Sequence, residues 1–143
     1  MYRVIKFALW TGTRREEIAN LKWQDIQGNM ARIIGKGNKE RTIPLLPGAI
    51  EAMGTPKDIG YVFVHWSDLA RYSKTFKRIA RRVGIEDVHF HHLRHTAATQ
   101  MIESGIEINY VKEMLGHSSI TTTEIYTAVV QKTLKEKMKK LRY

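Results

Sequence analysis

The sequence predicts a mainly α fold carrying one small antiparallel β-sheet, an α+β arrangement in a single domain over residues 1–143. Three observations carry this. Apolar residues recur at helical spacing in several segments, and those segments stop at glycine: Gly12, Gly84, Gly105 and Gly116. One stretch breaks the pattern, with two short runs rich in β-branched residues flanking the basic turn Lys36-Gly37-Asn38-Lys39. No internal repeat or low-complexity linker divides the chain.

The first ten residues read as an apolar helix that Thr11-Gly12-Thr13 terminates. Thr13 and Glu16 then have capping-box spacing, and Glu17, Ile18, Leu21 and Trp23 continue a helical pattern. Asp25 to Met30 reads as a turn, and Ala31–Gly35 with Arg41–Leu45 as a hairpin. Pro47 opens a short helix through Met53, Thr55–Gly60 is a loop, and Tyr61–His65 is one further strand candidate. Ser67 or Ser73 caps a helix bearing Leu69, Phe76, Ile79, Ala80 and Val83. Leu93–Ile102 and Asn109–Leu115 are helices, followed by a segment that carries Tyr126 and an amphipathic tail helix over 128–143.

Composition narrows the function. The net charge of +10 on 143 residues implies a polyanionic partner, nucleic acid before others. With no cysteine there is neither a disulfide nor a thiolate metal site, in keeping with a reducing cytoplasm. The N-terminal run is too short for a secretory leader, and no apolar stretch approaches the roughly 20 residues of a membrane span. A cytoplasmic protein without a membrane partner is the expectation.

Four short strings hold the chemistry: TGTRREEI at 11–18, GKGNKER at 35–41, HFHHLRHTAAT at 89–99 and LGHSS at 115–119, with Tyr126 nine residues after His117. Arginine at a helix start calls for an anion or an acidic neighbour, because a cation is disfavoured there. GKGNK is in isolation an ordinary basic hairpin turn. The i,i+3 spacing of His91 and Arg94 places both on one helical face. His89, His91, His92 and His95 raise the alternative of a metal site, but no carboxylate lies among them and Arg94 puts a positive charge beside the ion.

In order and spacing, these strings resemble the catalytic domain of the tyrosine recombinase, or phage integrase, family, from Thr11 to about Thr127. The resemblance implies a site of Arg14, Lys36, His91, Arg94, His117 and Tyr126. Arg14, Arg94 and His117 would hold the non-bridging phosphate oxygens, and Tyr126 would be the nucleophile. Lys36, on a mobile hairpin, would protonate the leaving oxygen, and His91 would move a proton at the nucleophile. Glu17 would buttress the site, Lys39 and Arg41 would contact the DNA backbone, and Arg15 would be a surface residue. No metal, cofactor or small-molecule substrate is implied. The partner is double-stranded DNA, held by a homotetramer, and the product is a 3′-phosphotyrosyl link. Type IB topoisomerases resemble this site closely, and a DNA-binding fragment without activity is the other alternative. Members of the family precede this domain with an N-terminal DNA-clamping helical domain, which is expected to be absent here. The tail sets Lys132, Lys135, Lys137, Lys139, Lys140 and Arg142 against Glu136 alone. Its apolar stripe of Val129, Val130, Leu134, Met138 and Leu141 packs either on a neighbouring protomer or on its own domain.

Overall fold

The computed structural model describes residues 1–116. Helix α1 (Tyr2–Thr11) lies at the centre and packs against α3 (Pro47–Met53) and α5 (His92–Glu103). Its inward side chains Val4, Phe7, Ala8 and Thr11 are buried at helical spacing. Gly12 ends it with φ +65°, a left-handed conformation that glycine adopts without strain. A side chain there would also collide with Leu115 Cδ2.

Helix α2 (Arg15–Asn20) starts one residue later than its capping spacing suggests. The carboxylate of Glu17, not Glu16, accepts the backbone N–H of Arg14 at 2.7 Å, which makes Arg14 the N-cap. Thr13 turns inward instead, its hydroxyl 2.8 Å from that of Thr11, and both are buried. The helix does not continue to Trp23: Leu21 is extended, and Trp23–Asp25 form a separate 3₁₀ turn.

The expected hairpin is there, β2 (Met30–Ile34) against β3 (Glu40–Pro44) with Ala31 opposite Ile43 and Ile33 opposite Arg41. Alternate side chains of β2 are buried, as one wet and one packed face require. The predicted turn before it contributes a third strand, β1 (Ile26–Gln27), giving the sheet order β1-β2-β3. Tyr61–His65 is not a strand. Tyr61 forms one isolated bridge to Lys22, and Val62 and Phe63 are both buried, so the segment lacks the alternation a strand needs.

Helix α4 (Ala70–Arg82) has Leu69 at its N-cap and no side-chain cap from Ser67 or Ser73; the Asp68 carboxylate, one residue earlier, accepts the Ala70 N–H at 2.9 Å. Val83, expected on its apolar face, is 67% exposed past the end of the helix. Tyr72, Phe76 and Phe90 pack edge to face in the main core, joined there by Phe7, Ile18, Ile33 and Ile43. Ala97, Ala98, Met101 and Ile102 of α5 form a second cluster with Val111 and Leu115 of α6 (Ile108–Leu115). Gly116, φ +68°, ends α6. The expected Tyr126 segment and the 128–143 tail lie outside the described residues. Among the described residues no helix is long and apolar enough to cross a membrane.

Candidate nucleic-acid cleavage site

Arg14 stands between two clefts. One, of about 630 Å³, is lined by Arg14, Glu17, Lys36, Lys39, Arg41 and Gly116 among others. The second, of about 350 Å³, is lined by Arg14, Arg15, Ser73, His89, His91 and Arg94 with their neighbours. Four of the six expected residues, Arg14, Lys36, His91 and Arg94, thus line two clefts that share Arg14. His117 and Tyr126 lie outside the described residues, immediately and shortly after Gly116.

The arginines are fixed in different ways. Arg94 is 9% exposed, and its guanidinium donates to the Gly12 carbonyl from Nη1 and to the Leu115 carbonyl from Nη2, both at 2.7 Å. These bonds tie α5 to the end of α1 and the end of α6, so Arg94 holds the two loop entrances that frame the site. Arg14 is exposed, and Nη1 contacts Glu17 Oε1 at 3.2 Å.

Glu17 is the buried hub. Its side chain is 1% exposed, and besides Arg14 it binds Arg41 through a two-pronged pair, Nη1 to Oε1 at 2.7 Å and Nη2 to Oε2 at 2.9 Å. Burial pushes the Glu17 carboxyl pKa up, but the hydrogen bonds from Arg41 and the Arg14 backbone, with both charges, outweigh it and leave the value lowered. Glu17 is therefore an anion that orients Arg14, in keeping with the expected buttress.

Arg41, expected at the DNA backbone, is held within the protein. Its fork faces Glu17, and its Nε donates to the Met114 carbonyl at 2.8 Å. One side chain thereby joins β3, α2 and the end of α6. Gly116 has φ +68°, which favours glycine, and a Cβ there would stand 3.0 Å from Arg41 Cδ, a tight contact. Lys39 remains exposed at the cleft rim, free to meet a phosphate.

Lys36 sits at the tip of the β2–β3 hairpin, exposed, beside Gly37 and Asn38, both at positive φ. His91 precedes α5 and is exposed at the second cleft. Its ring lies 4.4 Å from that of His92, 5.7 Å from His89 and 5.7 Å from His95. Desolvation first, then the charges of His92, His95 and His89, hold the His91 pKa below its ordinary value. His92 accepts the His89 backbone N–H at 3.0 Å through Nδ1, and His95 is half-buried, its pKa lowered by desolvation, His92 and Arg94. Among the described residues no group of three or more histidines and carboxylates is arranged to hold a metal ion.

Two contributions escape sequence reasoning. Arg15, expected at the surface, is partly exposed and also tethered: its Nη1 donates to Ser73 Oγ on α4 at 2.7 Å. Helix α4 also presents Lys74, Lys77, Arg78, Arg81 and Arg82 around a shallow concavity of about 560 Å³, none of them paired with a carboxylate among the described residues. The signal was present as FKRIARR, read for its apolar face alone.

The chain belongs to the phage integrase family, whose model matches residues 1–133. It is 35% identical to tyrosine recombinase XerC of Corynebacterium efficiens, covering 93% of this chain and 47% of that protein. It is 39% identical to tyrosine recombinase XerD of Listeria monocytogenes, covering 88% and 49%. Among solved structures, it superposes on the XerA recombinase with a TM-score of 0.74 and 28% identity, over 99% of this chain and 63% of that one. A XerH site-specific recombinase bound to its palindromic difH substrate after cleavage gives 0.72 and 28%, over 95% and 44%. The chain spans about half the length of the relatives it matches.

Proposed function

We propose that this chain is the catalytic domain of a tyrosine site-specific recombinase acting on duplex DNA. The observation that carries the reading is the position of Arg14, shared by a cleft holding Lys36 and a cleft holding His91 and Arg94. Two fixed guanidiniums beside one mobile ammonium and one neutral imidazole suit phosphoryl transfer without a metal.

In this reading Tyr126 Oη attacks the scissile phosphorus in line. The new Tyr–O–P bond forms as the P–O5′ bond breaks, leaving a 3′-phosphotyrosyl link and a free 5′-hydroxyl. His91 takes the phenol proton, a role served by an imidazole whose lowered pKa keeps it neutral near pH 7. Lys36 gives a proton to the departing 5′-oxygen. Arg14, Arg94 and His117 hold charge on the non-bridging oxygens, where stabilisation of the transition state has most effect. A diester is exchanged for a diester, so rejoining needs no nucleotide cofactor. The lysine- and arginine-rich face of α4 continues the cationic surface along the duplex. The family resemblance implies that four copies assemble on the DNA.

The test is covalent trapping on a nicked suicide duplex drawn from a randomised pool, without added metal. A denaturant-resistant protein–DNA band that Tyr126→Phe abolishes supports the reading. Binding at low salt with no band reduces the chain to a DNA-binding fragment. Transfer of the trapped strand to a second duplex, instead of resealing alone, separates a recombinase from a topoisomerase-like enzyme.

A further inference from the structure

Arg15 has no part in the chemistry above, yet the structure fixes it beside that chemistry. It is the first residue of α2 and half-buried, held toward α4 by the bond from Nη1 to Ser73 Oγ at 2.7 Å. The carboxylate of Glu16 lies 3.9 Å from Nη2, beyond hydrogen-bond distance, so the guanidinium keeps its donors for a stronger acceptor. Arg15 and Ser73 line the same cleft of about 350 Å³ as Arg14, His91 and Arg94. Arg14 and Arg94 suffice to grip one tetrahedral phosphate. A third guanidinium at that opening meets the next anion on the strand, since a duplex strand presents one phosphate about every 3.4 Å along its axis.

We propose that Arg15, braced by Ser73, binds the phosphate adjacent to the one held by Arg14 and Arg94, adding a second grip on the strand in the cleft. This rests on the reading that the polyanion there is a DNA backbone. Arg15 touches no reacting atom. It is a binding residue, and its effect falls on affinity and salt dependence instead of on the rate once DNA is bound.

Equilibrium binding of a labelled duplex is measured across a salt series for wild type, Arg15→Gln, Arg15→Lys and Ser73→Ala. Arg15→Gln is expected to weaken binding about tenfold at low salt. The slope of log affinity against log salt should shrink by about 0.9, the signature of one lost phosphate contact. Arg15→Lys should restore the slope, because it restores the charge. Superimposable salt lines for wild type and Arg15→Gln, with a lowered Tm, would show a strut between α2 and α4 and overturn the proposal. So would a normal affinity with slowed trapping. If Arg15→Gln does not fold, Ser73→Ala decides: about a threefold loss of affinity is expected, and no loss overturns. A wild type that binds but forms no adduct ends the recombinase reading and leaves the salt lines to judge Arg15. A wild type that binds no duplex overturns both.

Discussion

Replacing Arg41 by alanine tests whether the Glu17 hub holds the site together. The carboxylate left behind has a side chain 1% exposed and loses both prongs of its partner, while the Met114 carbonyl loses its donor. Removing one member of a buried ion pair costs about 3–5 kcal/mol, because the surviving charge is stranded. Glu17 keeps the Arg14 backbone N–H at 2.7 Å and the Arg14 Nη1 contact at 3.2 Å. Those contacts put the expected loss at the lower end, about 3 kcal/mol. A domain of this size loses about 2–4 °C of Tm per kcal/mol, so melting should fall by about 6–12 °C.

Urea denaturation of wild type and Arg41→Ala at several pH values reads the effect. A carboxyl whose folded pKa is lowered stabilises the fold above its unfolded value and loses that contribution as pH falls through the folded one. Glu17 is such a group, so the gap between the two proteins should be full at neutral pH and close in acid, below the ordinary carboxyl value of 4.5. The double variant Glu17→Met, Arg41→Met removes both charges at similar volume and should recover most of the stability. It should not recover DNA cleavage, since Arg14 then lacks its carboxylate. A loss under about 1 kcal/mol in Arg41→Ala would refute the argument, for that is the behaviour of an exposed pair.

Gly12→Ala combines a positive φ with a collision against Leu115 Cδ2, and should destabilise by about 2 kcal/mol or more, read by the same denaturation. Lys36→Ala removes an exposed hairpin-tip side chain, so stability should hold within about 0.5 kcal/mol while trapping on the suicide duplex is lost. His91 and His95 are kept neutral by the fold, so stability should fall as pH drops below the ordinary histidine value of 6.5 and through their lowered values. His92→Asn removes a charge that acts on both, and a smaller loss of Tm on acidification is the expected readout. An acid response identical to wild type would mean the cluster is uncoupled.

The helices and the hairpin were legible because local signals and tertiary packing agree there. Gly12, Gly105 and Gly116 stop helices where their positive φ values require glycine, and the period of α1 matches the buried set Val4, Phe7, Ala8 and Thr11. Tyr61–His65 misled because β-branched and aromatic composition was the whole signal. Val62 donates its N–H to the Leu21 carbonyl and buries its side chain with that of Phe63, so the segment is pinned to the core without a ladder. The four expected site residues among those described, Arg14, Lys36, His91 and Arg94, were picked out by the spacing of their motifs, a property of sequence, and line two clefts that share Arg14. The residues that hold them were not, because their partners are far away in the chain. Arg41 meets Glu17 across 24 positions and Met114 across 73, and Arg15 meets Ser73 across 58. A basic residue read in isolation looks like a hand for DNA, and only the burial of its carboxylate partner reveals otherwise. Both arginines are held by partners that their sequence contexts do not announce, Arg41 by Glu17 and Arg15 by Ser73. The arginine within the basic hairpin string turns inward to Glu17, and Arg15 lines the cleft that also holds Arg14, His91 and Arg94.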